Sequence, residues 1–331
     1  KEGILRHFKI LAFLLILIFM SFIFAQFAIL LIYRNGSWNE PLSFSLCSFT
    51  EERRGHLRLP IHGEFNCEKG LLAASSSSPT DANRVRPADI KYIAALGDSF
   101  TVQFISYASH TENAENAKDA RNCVGNSFVT GGNGALENHL TLTNVFRHLN
   151  PSLMGYSTGS GLQEEHANLN VAKPDMRVND IPRQARELVR RFQKYSVNSL
   201  RDDWKLINIY IGTRDVTGLC IGEASEELMS EFRNAGRNDQ TVIVQHIFDH
   251  LWTPLRKDDG SYNTDFYATD MFHLSNYGNS LVAKQLWNHL VSPDYRKFTN
   301  NKMMNDESPI LLCPKPTCPF IRTSDNSVYC N

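Results

Sequence analysis

Apolar and polar positions follow one another in blocks along most of this chain. Residues 90–96 form an apolar run interrupted only by Lys91, residues 204–211 form a second run ended by Gly212, and residues 241–247 form a third. Runs of this length, bounded by turn residues, predict strands buried on both faces. Between them the period changes to that of a helix. Residues 182–195 place Ala185, Leu188, Val189 and Phe192 at helical spacing, with Pro182 in the first turn. Residues 223–235 align Leu228, Met229 and Phe232 on one face and stop at Gly236. Ser275 is placed to cap a last helix running to Leu290, with Val282, Leu286 and Leu290 as its stripe. Strands separated by helices predict an α/β fold with a mainly parallel sheet covered on both faces. No internal repeat is present.

The N-terminal region departs from this pattern. Residues 10–33 are 24 positions without a charge, and their few polar residues include Ser21 and Gln26. About 20 apolar residues suffice for a spanning helix, so residues 1–34 are predicted to form a membrane anchor, or alternatively a signal segment that is removed. Lys1, Arg6 and Lys9 precede the run and Arg34 alone follows closely. That asymmetry predicts a single-pass membrane protein with its main domain extracellular or lumenal, or a secreted one if the segment is cleaved. The seven cysteines (Cys47, Cys67, Cys123, Cys220, Cys313, Cys318 and Cys330) are read as a disulfide framework with at least one left over. Cys313 and Cys318 lack the second close pair of a metal site, and neither a metal nor another cofactor is read. Asn35-Gly36-Ser37 is a glycosylation sequon. After the anchor comes a cysteine-containing lead-in with a Ser-rich linker over 35–87, then the main domain over 88–320 and a tail over 321–331. With 34 basic and 35 acidic side chains the net charge is -1, which argues against a nucleic-acid partner.

Candidate chemistry gathers at one edge of the predicted sheet. Ser99 directly follows the first strand in Gly97-Asp98-Ser99-Phe100, Gly212 to Asp215 follows the second, and Asp270-Met271-Phe272-His273 lies in a loop after the third. Ligands of parallel sheets bind at the carboxyl ends of the strands. A serine hydroxyl needs a base to become a nucleophile, and the base needs a partner to orient it. His273 and Asp270 suit those two roles. The Ser99 N–H and the glycine-rich turn Gly131-Gly132-Asn133-Gly134 offer backbone donors for a developing oxyanion. A Gly-Asp-Ser alone is an ordinary turn; the joint placement points to acyl transfer. His246 and His250 have the i, i+4 spacing of a zinc helix but lack its glutamate, and are read as structural.

These segments resemble the GDSL (SGNH) hydrolases, and within them the animal phospholipase B branch. The likeness is carried by residues 86–91 leading into Ala94-Ala95-Leu96-Gly97-Asp98-Ser99, by Gly131-Gly132-Asn133-Gly134, by Asn150-Pro151 with Gly155-Tyr156-Ser157-Thr158-Gly159, by Asp203-Trp204-Lys205-Leu206, by Thr253-Pro254-Leu255, and by Asp270 to His273 followed by residues 283–288. It extends from about Phe65 to about Phe320. The resemblance implies a three-layer α/β/α, flavodoxin-like (SGNH hydrolase) fold and metal-independent hydrolysis of acyl esters in phospholipids or lysophospholipids, with the membrane as a partner. By position it implies Ser99 as nucleophile, His273 as base, Asp270 as its orienting partner, and Ser99 and Gly132 as oxyanion donors. Where the family carries Gly-x-Asn-Asp, this chain has Gly212-Thr213-Arg214-Asp215, so Arg214 stands in place of an oxyanion-hole asparagine. The alternative reading is therefore a catalytically weakened or inactive relative that binds lipid or a protein partner.

Overall fold

A computed structural model of the chain describes residues 13–18, 58–103, 122–195, 201–216, 238–248, 254–268, 270–292 and 300–330. Their main sheet is parallel throughout and has the order β3-β4-β1-β5, built from β1 (Phe13–Ile18), β3 (Ile90–Gly97), β4 (Trp204–Ile211) and β5 (Val242–Val244). Isolated bridges from Tyr92 to Met154 and from Ala95 to Asn170 extend the pairing beyond β3. A second, two-stranded sheet pairs β2 (Glu64–Phe65) with β6 (Ile310–Leu311). Among the described residues the α-helices are α1 (Ser99–Val102), α2 (Leu142–Leu149), α3 (Glu164–Ala167), α4 (Ile181–Phe192), α5 (Thr213–Val216), α6 (Asn276–Val291), α7 (Asn301–Met304) and α8 (Asn326–Tyr329).

Alternation along the strands explains the layers. In β4 the side chains of Ile207, Ile209 and Ile211 join Tyr92, Ala94 and Leu96 against Leu188 and Phe192 of α4. Leu206 and Tyr210 join Ile93 on the other face, with Val145 and Phe146 of α2 and Leu286, Trp287 and Leu290 of α6. The sheet is thus an apolar layer between helices on both sides, which is why its strands carry near-continuous apolar runs. The α6 cap forms as the sequence predicts, with the Gly278 N–H donating to Ser275 Oγ at 3.0 Å. Within α6 the buried Lys284 ammonium donates to the Asp306 carboxylate at 2.7 Å and to the Asp306 and Ser308 carbonyls. Three acceptors offset the cost of burying that charge and tie the C-terminal segment to the core. β5 is shorter than the run over 241–247 predicts, and the expected helix over 223–235 lies outside the described residues.

The expected membrane anchor is overturned. Phe13–Ile18 is a strand between β4 and β5, with Ile16 opposite Ile209 on one side and Val244 on the other. No helix among the described residues is long and apolar enough to cross a membrane. An unbroken apolar run satisfies a central parallel strand as well as it satisfies a spanning helix, and hydrophobicity alone does not distinguish them. The orientation drawn from the flanking charges falls with the anchor. The rest of residues 10–33 and the sequon at Asn35 lie outside the described residues.

Cys67 pairs with Cys313, two residues beyond the β2/β6 pairing, and Cys318 pairs with Cys330. Cys123 is also disulfide-bonded. The Cys67–Cys313 bridge spans 246 residues of sequence, so its loss frees a very long loop in the unfolded chain. Replacing both cysteines by serine is expected to lower stability by about 2–5 kcal/mol, read as a fall in the urea midpoint with a steeper slope, because the unbridged unfolded chain exposes more surface. An unchanged midpoint would show that the small sheet holds its ends together without the bridge.

Candidate active site

Ser99 is the first residue of α1, immediately after β3, so its N–H has no intrahelical acceptor. The turn is tight because Gly97 ends the strand with φ +154°, where a Cβ would run into the Tyr210 carbonyl and Thr101 Oγ1. Gln184 of α4 grips the same residue twice, accepting from Gly97 N–H and donating to Gly97 C=O, both at 2.8 Å. Asp98 is buried and caps α1 through the Phe100 N–H at 3.1 Å. Its other oxygen accepts from the Thr213 N–H and hydroxyl, linking the end of β3 to the end of β4.

The second half of the site is the turn before α6. One Asp270 oxygen accepts the N–H groups of Phe272 at 3.0 Å and His273 at 2.9 Å, and the other meets His273 Nδ1 at 2.7 Å. Met271 sits between them at φ +55°, a left-handed conformation that costs a residue with a Cβ and is held here by that carboxylate. His273 Nε2 lies 2.9 Å from Ser99 Oγ. Asp270 as a carboxylate only accepts, so Nδ1 carries the ring proton and Nε2 presents its lone pair to the Ser99 hydroxyl. Phe100 and Phe272 pack around the imidazole with ring centroids at 5.1 and 4.9 Å, and His273 is 8% exposed. The structure therefore brings together Ser99, His273 and Asp270, residues 174 and 3 positions apart.

The other expected residues are placed differently. The Gly132 N–H donates to the Ser157 carbonyl at 2.8 Å, and a Cβ at Gly132 would strike the Tyr156 ring. Arg214, just past Gly212, is exposed and ion-pairs with Asp175. His246 is half-buried just beyond β5, and His250 lies outside the described residues. The contributions of Asp98 and Gln184 escape sequence reading. Asp98 belongs to the Gly-Asp-Ser turn, yet nothing in that tripeptide announces its bonds to Thr213.

Burial pushes the Asp98 carboxyl up to about 6, against the donors from Thr213 and Phe100 that pull it down. An unfolded aspartate titrates near 3.9, so between about pH 4 and 6 the folded chain holds this proton more tightly. The contribution is thus complete below about pH 4 and is lost as pH rises through about 6, by roughly 3 kcal/mol for two units. Asp98→Asn removes the titration. Its stability relative to the wild type is expected to improve by up to roughly that amount between pH 4 and pH 7.5, read from urea unfolding at both values. A pH-independent difference would contradict the account.

No family model and no solved structure matches the chain. Among curated proteins it is similar to "Phospholipase B1, membrane-associated" of Homo sapiens, 30% identical over 334 aligned positions that cover 77% of this chain and 22% of that protein. The proteins of the same name from Rattus norvegicus and Mus musculus are each 28% identical over 345 positions, covering 80% of this chain and 23% of theirs. The chain thus spans less than a quarter of the length of the curated relatives it matches. Over that span the chain is similar to phospholipase B1.

Proposed function

We propose that the chain is a serine ester hydrolase of the GDSL (SGNH) type, acting on acyl esters of phospholipids or lysophospholipids. The observation that carries this reading is the continuous link from Ser99 Oγ through His273 to Asp270, at 2.9 and 2.7 Å. Similarity to proteins named phospholipase B1 supports the substrate class. In the first step Ser99 Oγ attacks the ester carbonyl carbon while its proton passes to His273 Nε2. Asp270 stabilises the imidazolium through Nδ1–H, and the Ser99 N–H donates to the oxyanion. The tetrahedral intermediate collapses by breaking the bond to the glycerol oxygen, which takes the proton from Nε2. Water then gives a proton to His273 Nε2 and attacks the acyl carbon, the bond to Ser99 Oγ breaks, Oγ takes the proton back from Nε2 and the fatty acid leaves.

The decisive experiment is a fluorophosphonate probe, which forms a covalent bond with an activated serine, combined with hydrolysis of lysophosphatidylcholine. Ser99→Ala serves as the blank. The expected result is a single labelled peptide containing Ser99 and turnover absent from the blank. Folded wild-type protein with neither labelling nor turnover above the blank would end the reading.

A second reading, a catalytically weakened relative that binds lipid or a protein partner, is favoured by two contacts. The Gly132 amide is engaged by Ser157, and the Arg214 guanidinium pairs with Asp175. Each missing oxyanion donor costs about 10²–10³ in rate, so a slow enzyme satisfies both readings and an unreactive Ser99 only the second.

A further inference from the structure

We propose that Gln103 is a positioning residue for this reaction, the head of a relay of carboxamides that fixes the Ser99 turn against the His273 turn. The inference rests on the serine hydrolase reading and adds to it the device that sets the distance from nucleophile to base. Gln103 follows α1, caps it through its N–H to the Phe100 carbonyl, and is held at φ +62° although it is not glycine. It is 2% exposed. Its Nε2 donates to the Leu274 carbonyl at 3.1 Å, next to His273, and lies 3.5 Å from Asn276 Oδ1. Asn276 Oδ1 also accepts from Asn126 Nδ2 at 3.1 Å, Asn126 Oδ1 accepts from Asn133 Nδ2 at 2.8 Å, and Asn133 Oδ1 accepts from the Gly159 N–H at 2.9 Å.

The bonds converge on Asn276 Oδ1, which faces Gln103 Nε2 on one side and accepts from Asn126 Nδ2 on the other, so the amide orientations are mutually fixed. Reversing one would face two donors or two acceptors across a buried gap. The chain just after Ser99 is anchored to the sheet, with Thr101 Oγ1 donating to the Tyr210 carbonyl. The His273 turn belongs to a different segment, which meets Phe100 through the Phe272 and His273 rings. Ring contacts tolerate sliding, whereas the Gln103 to Leu274 hydrogen bond is directional and sits beside the base. A carboxamide brings no charge, so it holds position without altering the charge balance that His273 requires.

Gln103→Met keeps the length of the side chain and removes its N–H donors. With lysophosphatidylcholine as substrate, kcat is expected to fall about tenfold to hundredfold with KM nearly unchanged, because a small misplacement of reacting groups acts on the chemical step. The rate of fluorophosphonate labelling per folded molecule is expected to fall in parallel, which a purely structural role would not produce. Asn126→Ala, which breaks the relay beyond Asn276 without touching Gln103, is expected to reduce the labelling rate in the same direction and carries the test if Gln103→Met does not fold. Labelling and kcat equal to wild type in the folded variants, or a change in KM alone, would overturn the inference while leaving the hydrolase reading intact. A wild-type protein that is neither labelled nor active would overturn both.

Discussion

Replacing Asp270 by Asn is expected to lower kcat on lysophosphatidylcholine by about 10⁴ while leaving the fold in place. The physical reason lies in the three hydrogen bonds of this one side chain. Asn Oδ1 can still accept from Phe272 N–H and His273 N–H, so the left-handed turn at Met271 keeps the two bonds that hold it. The Nδ2 group then faces His273 Nδ1, where the carboxylate oxygen now sits at 2.7 Å. An amide N–H requires an acceptor there, which moves the ring proton to Nε2. An Nε2–H donates to Ser99 Oγ and has no lone pair with which to take its proton. The variant should therefore show wild-type unfolding behaviour together with a collapse of both turnover and fluorophosphonate labelling. Asp270→Ala should lose stability as well, because it also removes the acceptor for the two backbone N–H groups. A variant Asp270→Asn within about tenfold of wild type would mean that His273 is oriented by another group and that the carboxylate serves only the turn.

The separation of those two roles bears on what the sequence made legible. β4 occupies the predicted residues, and β3 runs one residue further to Gly97, because each is a long apolar run closed by a glycine at a sharp turn. Asp270 and His273 were readable because an Asp three positions before a His on a turn can serve both the backbone and the ring. The run containing Phe13–Ile18 reads as a membrane anchor or a signal segment because its length fits a bilayer; its pairing partners, Leu206 to Ile211 and Val242 to Val244, are far away in sequence. The resemblance implies Gly132 as an oxyanion donor; which carbonyl its amide meets depends on the segment folded against it, here Ser157. Gln103, Asn126 and Asn276 have no spacing rule at all. Isolated carboxamides acquire a function only when three segments meet, and composition does not register that event.

Arg214→Asn is expected to raise kcat, by up to about 10², with little change in stability. In the structure the arginine reaches away from α5 to Asp175, and both side chains are largely exposed, so the ion pair contributes at most about 1 kcal/mol. The position itself is well placed. Thr213, its neighbour, is bound through its N–H and its hydroxyl to Asp98, which directly precedes Ser99. A short amide at 214 would start from that anchored backbone and could direct an N–H toward the oxyanion. The guanidinium cannot do the same without bringing a permanent positive charge toward His273, which becomes cationic in the proposed reaction. A rise in kcat at constant KM would identify an oxyanion donor at this position as limiting turnover. An unchanged kcat in a folded, labelled variant would show that the Ser99 amide already suffices and that Arg214 is a surface residue held by Asp175.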